Sequence, residues 1–467
     1  MKNTNINNTA QFSPLAANSN TKDSSQKRAL SFYLKTFGCQ MNEADSDLIC
    51  LLMKRSGYYR ADSVSEADII IFNTCSVREH AENRALTNLF SLKKFKNKKP
   101  ETVIIFAGCA AHRLKAELVK KAPYTDIIMG TRNIFDLPKL IIQSQQNKKE
   151  GSIVAVDEKP PENDRCGFID GEKSGFQAFV PISIGCNNYC SYCIVPYVRG
   201  RESSRSDKNI IEEISKLAIT GYIEVTLLGQ NVNSYNYREA GKNIDFSDLM
   251  NLVENIDGIK RIRFMTSHPK DFNEKLIKTI AGSSKACEHL HLPLQSGSDS
   301  ILKSMNRGYT KEDYIGLVQK IRASIPDASI STDIIVGYPG ETHEDFNETL
   351  SMVKTIEFDS AYTFKYSPRP GTAAAKLEDS VPTAVKEERL KTLAQYVSES
   401  SLSRNRRMLD KEEEALVGAY NEKNKTLIGR TRNSKQVFFE GNKELIGKFV
   451  KLRITHAYAW SLRGKIA

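Results

Sequence analysis

Three apolar runs near the start of the chain each end in cysteine: Phe32 to Cys39, Ala67 to Cys75 and Thr102 to Cys109, at intervals of 36 and 34 residues. The stretches between them, Asn42 to Ser56 and Ser76 to Lys96, are helix-like. The second has acidic residues early and a Lys-rich end, as the helix dipole favours. Strand, helix, strand at this spacing predicts a βαβ series with a parallel sheet. Such strands all point the same way, so their C-terminal ends lie along one edge, where ligands bind. Cys39, Cys75 and Cys109, far apart in sequence, are therefore expected to converge as a three-thiolate group.

A second trio stands in a single loop. Cys186, Cys190 and Cys193 are spaced C-x3-C-x2-C directly after an apolar run, and no fourth cysteine or histidine follows nearby. A structural zinc site takes four ligands, so this loop is one short. Three thiolates on a four-iron cluster would leave one iron open for a ligand or substrate. The competing reading is an incidental cysteine-rich loop or an incomplete zinc site; against it, cysteines are sparse, nine in 467 residues. The spacing is similar to that of radical S-adenosylmethionine (SAM) enzymes, whose open iron chelates the amino and carboxylate groups of SAM. Cys50, Cys166 and Cys287 lack any such context and read as structural or incidental.

A chain of 467 residues predicts two to four domains. Residues 1–30, rich in Asn, Ser and Thr, read as a disordered tail. No run approaches the roughly 18 apolar residues of a membrane span, and Met1 to Asn8 have no apolar core of a secretory signal. These features predict a cytoplasmic protein without disulfides and with no membrane partner. The charge is uneven: Ser401 to Ala467 hold 15 Lys and Arg against 7 Asp and Glu, eight of the chain's eleven net positive charges. That asymmetry suits a polyanionic partner such as nucleic acid, or a merely soluble surface.

The middle of the chain alternates strand and helix patterns. Strand candidates are Phe179 to Ile184, Ile223 to Leu228, Ile262 to Met265, Leu290 to Leu294, Ile330 to Val336 and Ala361 to Tyr366, with amphipathic stretches between them. Six such units predict an open (β/α)6 barrel, with polar and glycine-rich loops after the strands forming the rim where barrels place their chemistry. At that rim His268 and His291 read as satisfied structural histidines. After Gly418, short strand-like runs with interleaved Lys, Arg and aromatic residues predict a small β-barrel. Phe438, Phe439, Tyr458 and Trp460 are there either to stack on bases or to fill the core. The predicted organisation is α/β and multidomain: a parallel α/β domain at 31–147, a linker at 148–171, the open barrel at 172–402 and the small β-barrel at 405–467.

Thr36 to Asn42, Asn73 to Arg78, Gly108 to Ala110, the loop from Cys186 through Tyr197 to Glu202, and Phe364 to Thr372 together resemble the radical SAM methylthiotransferase family, over nearly everything after residue 30. Cys39-Gln40-Met41-Asn42 resembles the branch acting on N6-isopentenyladenosine in tRNA; sister branches modify threonylcarbamoyladenosine in tRNA or a ribosomal protein. The resemblance implies a methylthiotransferase domain, a radical SAM core and a C-terminal TRAM RNA-binding barrel. It implies a 4Fe-4S cluster on Cys39, Cys75 and Cys109 that carries sulfur, and a second on Cys186, Cys190 and Cys193 that binds SAM and reduces it to a 5′-deoxyadenosyl radical. The implied reaction places a methylthio group on C2 of isopentenyladenosine at tRNA position 37, beside the anticodon. An unactivated purine C–H calls for such radical chemistry, since acids and bases alone cannot replace it. An electron donor and a sulfur donor are implied as partners. Arg199, Arg201 and Arg205 either hold substrate phosphate or belong to a solvated loop. A non-enzymatic iron–sulfur sensor that binds RNA is the alternative of a different class.

Overall fold

The computed structural model describes residues 29–146, 151–157, 175–239 and 241–467. Cys166, the first 28 residues and most of the predicted linker lie outside the described residues.

The N-terminal unit is built on strands β1 (Ser31–Thr36), β2 (Tyr59–Arg60), β3 (Ile69–Thr74), β4 (Val103–Gly108), β5 (Ile127–Met129) and β6 (Ile153–Ala155), all parallel in the order β2-β1-β3-β4-β5-β6. Every residue of β3 and β4 is buried, as the centre of a parallel sheet covered on both faces requires. Alternation divides these strands between two cores. Ile69, Ile71, Val103 and Ile105 pack under α1 (Gln40–Arg55) and α4 (Leu137–Gln146). Ile70, Phe72, Ile104 and Phe106 pack under α2 (Glu79–Lys98) and α3 (Cys109–Lys121). The segment 153–155, expected within a linker, is instead a strand of this sheet. Its apolar run, Ile153 to Val156, is only four residues long, too short to establish a period.

The middle of the chain forms the six expected parallel strands. Gln177–Pro181, Glu224–Leu228 and Arg261–Phe264 make one sheet; His289–His291, Ser329–Val336 and Ser360–Lys365 make another, and a parallel bridge from Ile262 to Ala286 links the two. One continuous apolar core fills this open barrel. Helices Phe246–Glu254, Lys311–Ser324 and His343–Ile356 each begin on a capping box, from Asp245, Thr310 and Thr342 respectively.

A 24-residue helix, Thr383–Arg406, runs the length of the barrel. Arg389 pairs with Glu341 beyond the C-terminal end of the fifth strand, and Arg404 reaches Asp359 just before the sixth. The helix therefore crosses the expected boundary near residue 402. It leads into a closed five-stranded barrel in the order Glu412–Asn421, Thr426–Thr431, Gln436–Phe439, Leu462–Ile466, Phe449–Ala457. The first of these strands starts ahead of the expected onset after Gly418, because the run Glu412 to Glu414 hides the apolar Ala415, Leu416 and Val417 that follow. Phe439 is core, whereas Tyr458 and Trp460 are exposed.

This small barrel docks on the end of the large one where the strands begin. Arg261, 1% exposed, donates to the Arg430 and Glu414 carbonyls at 2.9 Å and pairs with the Glu414 carboxylate at 2.8 Å. Arg263 donates to the carbonyls of Arg432 and Thr431, and Arg432 pairs with Glu288 at 2.7 Å. No helix among the described residues is long and apolar enough to cross a membrane.

Candidate active site

The N-terminal cysteines emerge from the ends of three adjacent strands. Cys39 caps α1 after β1, Cys75 follows β3 directly, and Cys109 opens α3 after β4. Glycine makes this approach possible: Gly38 has φ +141°, and a Cβ there would overlap the Cys75 side chain. Gly108 has φ +97°, and a Cβ there would overlap the Thr74 carbonyl. Two buried asparagines stitch the strand ends together. Asn42 Nδ2 donates to the Thr74 carbonyl at 3.0 Å, and Asn73 Nδ2 donates to the Asn42 carbonyl at 2.8 Å.

The thiols are electrostatically distinct. A hydrogen bond from Cys75 lowers the Cys39 thiol to about 6, against burial and with help from the Arg199 charge. The same bond, then burial, pushes Cys75 upward. Burial raises Cys109, opposed by Arg199, whose Nε donates to Cys109 Sγ at 3.2 Å.

The second trio is shaped by a short antiparallel pairing of Ser183–Ile184 with Ser203–Ser204. Gly185 has φ +83°, and its amide donates to Gln230 Oε1 at 2.5 Å while that of Cys186 donates to the Gly200 carbonyl at 3.2 Å. Cys193 N–H closes a turn onto the Cys190 carbonyl at 2.9 Å. Burial raises Cys186 and pushes Cys193 up to about 12. Arg307, 4% exposed, puts Nη1 at 3.4 Å from Cys190 Sγ; its other bonds go to the Tyr309 and Tyr192 hydroxyls and the Pro293 carbonyl.

Both trios meet at one boundary. The helix α5 (Val195–Arg199) starts two residues after Cys193, and Val198 with Ile194 packs on Cys109. Cys39 and Met265 both pack against a small apolar cluster of Met41, Ala44 and Leu228 at the barrel strand ends. Arg132 of the N-terminal unit donates to the Arg199 carbonyl at 2.6 Å and to that of Arg201 at 3.1 Å.

The arginines of this loop differ from expectation. Arg199 is neither solvated nor free for phosphate: it is 4% exposed and pairs with Asp45 at 2.8 Å. Arg205 is held by Glu213 at 2.7 Å and by the Pro181 carbonyl. Arg201 is exposed. His291 is satisfied by Ser331 at 3.0 Å and Asp333 at 3.3 Å. His268 is only half satisfied: Nδ1 accepts from the Lys270 amide at 3.3 Å, while the buried Nε2 has no partner. Burial, reinforced by Arg307 and Lys270, drops His268 to about 2, so it is neutral. Cys50 packs on the sheet core, and Cys287 is buried and raised to about 11. Sequence reading missed Asp45 and Arg307, which carry no local motif; Asn42 and Asn73 stood within segments already singled out.

Among the described residues no three His, Cys, Asp or Glu side chains converge tightly enough to hold a single metal ion. A structural zinc site takes four ligands, whereas each trio supplies three thiols, the donor count that leaves one iron of a four-iron cluster open. The donor chemistry fits as well: each trio has a buried guanidinium donating to one sulfur, at 3.2 Å on Cys109 and 3.4 Å on Cys190.

Residues 31–130 match the Uncharacterized protein family UPF0004, 180–353 the Radical SAM superfamily and 406–467 the TRAM domain. The chain is 49% identical to a tRNA-2-methylthio-N(6)-dimethylallyladenosine synthase of Clostridium novyi, covering 97% of this chain and 99% of that one. It is 48% identical to the protein of the same name from Caldicellulosiruptor saccharolyticus, covering 93% and 92%. In fold it is similar to the radical SAM methyltransferase TsrM of Kitasatospora setae, with a TM-score of 0.53, 13% identity and 74% of each chain covered. Near-half identity sustained across almost the whole length leaves one assignment: the chain belongs to the tRNA-2-methylthio-N(6)-dimethylallyladenosine synthase family of radical SAM enzymes.

Proposed function

We propose that this protein is a cytoplasmic radical SAM methylthiotransferase that replaces the C2 hydrogen of N6-isopentenyladenosine, beside the tRNA anticodon, with a methylthio group. In this reading Cys186, Cys190 and Cys193 hold a SAM-binding 4Fe-4S cluster, and Cys39, Cys75 and Cys109 hold a second. When bound, the clusters supply the electron that cleaves SAM and the sulfur for transfer; an electron donor and a sulfur donor serve them. The carrying observation is the shared boundary of the two trios, with α5 running from one loop onto the cysteine of the other. Radical formation and sulfur delivery must reach the same carbon, and this packing supports that need.

The chain's own residues hold the site. Gly38, Gly108 and Gly185 let the backbones approach, and Arg199 and Arg307 compensate thiolate charge. The exposed basic face of the C-terminal barrel, with Tyr458 and Trp460, suits phosphate and base contact. An apolar five-carbon prenyl group gains about 0.8 kcal/mol per buried methylene-sized unit, enough to favour prenylated over bare adenosine. The test is incubation of reconstituted enzyme with isopentenylated, threonylcarbamoylated and unmodified tRNA, followed by nucleoside analysis. The methylthio product should come from isopentenylated tRNA; product mainly from threonylcarbamoylated tRNA would move the chain to the sister branch. Absence of 5′-deoxyadenosine would favour the sensor reading.

A further inference from the structure

We propose that Arg199 is a positioning residue that tunes the cluster of the N-terminal unit from within the barrel's own cysteine loop. This inference rests on the reading that Cys39, Cys75 and Cys109 hold a cluster. Arg199 is the last residue of α5, six positions after Cys193, yet its side chain terminates in the neighbouring unit. There Nε donates to Cys109 Sγ at 3.2 Å and Nη2 pairs with Asp45 Oδ2 at 2.8 Å. The grip is reciprocal. Arg132 of the N-terminal unit holds the Arg199 backbone carbonyl at 3.0 and 2.6 Å, and Gly200 leaves room for that guanidinium where a Cβ would collide with it.

Only arginine meets this geometry. A planar fork presents separate N–H groups to sulfur and carboxylate at once, whereas a lysine offers one compact charge. Hydrogen bonds to ligating sulfur and nearby charge are the means by which a protein sets a cluster's reduction potential. An N–H donor and a positive charge on Cys109 favour the more negative, reduced cluster and so raise its potential. Asp45 offsets part of that charge. Because the same five-residue helix carries Cys193's loop at one end and this guanidinium at the other, a displacement of the SAM-binding loop would be transmitted to a sulfur ligand of the second cluster.

The two members of the pair make opposite predictions. In full-length, anaerobically reconstituted protein, redox titration is followed by electron paramagnetic resonance without SAM, with Cys190→Ala and Cys75→Ala backgrounds isolating the signals of the N-terminal and barrel clusters respectively. Arg199→Met should lower the potential of the N-terminal unit's cluster and Asp45→Asn should raise it, with the barrel's cluster unchanged in both. Arg199→Met strands Asp45 in a buried site, where a broken ion pair destabilises. If that variant does not fold, the upward shift in Asp45→Asn and the smaller net shift in the Asp45→Asn/Arg199→Met double variant decide the matter. Wild-type potentials in variants with full iron would overturn the role of Arg199. Full iron retained by Cys75→Ala would instead overturn the reading of the site itself.

Discussion

Gly185 offers a sharp test of how the barrel's cysteine loop is held. With φ at +83°, an alanine there bears about 1–2 kcal/mol of backbone strain. Its methyl carbon would also overlap the carbonyl oxygens of Gly200 and Arg201, which are backbone and cannot swing aside. Relief requires the Ser183–Ser204 pairing to open, losing the Cys186 amide's bond to Gly200, worth about 1 kcal/mol. Together these disfavour the loop conformation by about 2–3 kcal/mol, or roughly 30- to 150-fold in population. The damage is local, so circular dichroism should be unchanged while iron after anaerobic reconstitution falls toward half and 5′-deoxyadenosine formation collapses. Gly57→Ala is the control: φ is +85° with nothing within 4 Å, so it carries strain without overlap and should retain both iron and SAM cleavage. Full iron and normal 5′-deoxyadenosine from Gly185→Ala would refute the steric argument.

Cys190→Ala should abolish 5′-deoxyadenosine formation, because two thiolates cannot anchor a three-point site; wild-type levels would remove Cys190 from the cluster. Cys75→Ala should lose about half the iron and all methylthiolated product while still cleaving SAM, as separate thiolate trios require; a tRNA product from this variant would show that its sulfur comes from elsewhere. Replacing the exposed Lys451, Arg463 and Lys465 by Gln should weaken tRNA binding with the fold intact, and each lost phosphate contact should reduce the log–log salt slope by about 0.7–0.9. Unchanged affinity in filter binding would place the RNA elsewhere.

The βα alternation and the convergence of Cys39, Cys75 and Cys109 were legible because strand C-termini of a parallel sheet must share an edge, whatever lies between them. The six barrel strands were legible as short, largely apolar runs recurring between amphipathic stretches. Strands β2 and β6 were not, since two or three residues establish no period. The arginines show a deeper limit. A charged residue in a polar loop reads as solvated, and what buries Arg199 is Asp45, 154 positions away in another unit. Arg307 likewise meets Cys190 from 117 positions away. Sequence periodicity reports which face of an element is apolar; it is silent on which distant partner neutralises a buried charge.

The docking of the C-terminal barrel changes how RNA binding should be dissected. Removing Glu412 to Ala467 would strip Arg261 and Arg263 of the Glu414, Arg430, Thr431 and Arg432 groups that satisfy them, so a truncation confounds lost RNA contacts with a damaged barrel floor. Surface charge changes avoid this. The same docking fixes a distance. Helix Thr383–Arg406 binds Glu341 near the cysteine rim through Arg389, and at its other end Asn405 donates to the Tyr458 carbonyl of the small barrel at 2.7 Å. From Arg389 to Asn405 is sixteen residues of that helix, about 24 Å at 1.5 Å each. A tRNA touching both Trp460 and the cysteine enclosure must therefore span on the order of the same length, set by a buttressed helix rather than by a flexible tether. Binding of both points by one RNA thus pays no cost of ordering a linker, and short anticodon hairpins that cannot reach the small barrel should depend less on its basic face than full-length tRNA does.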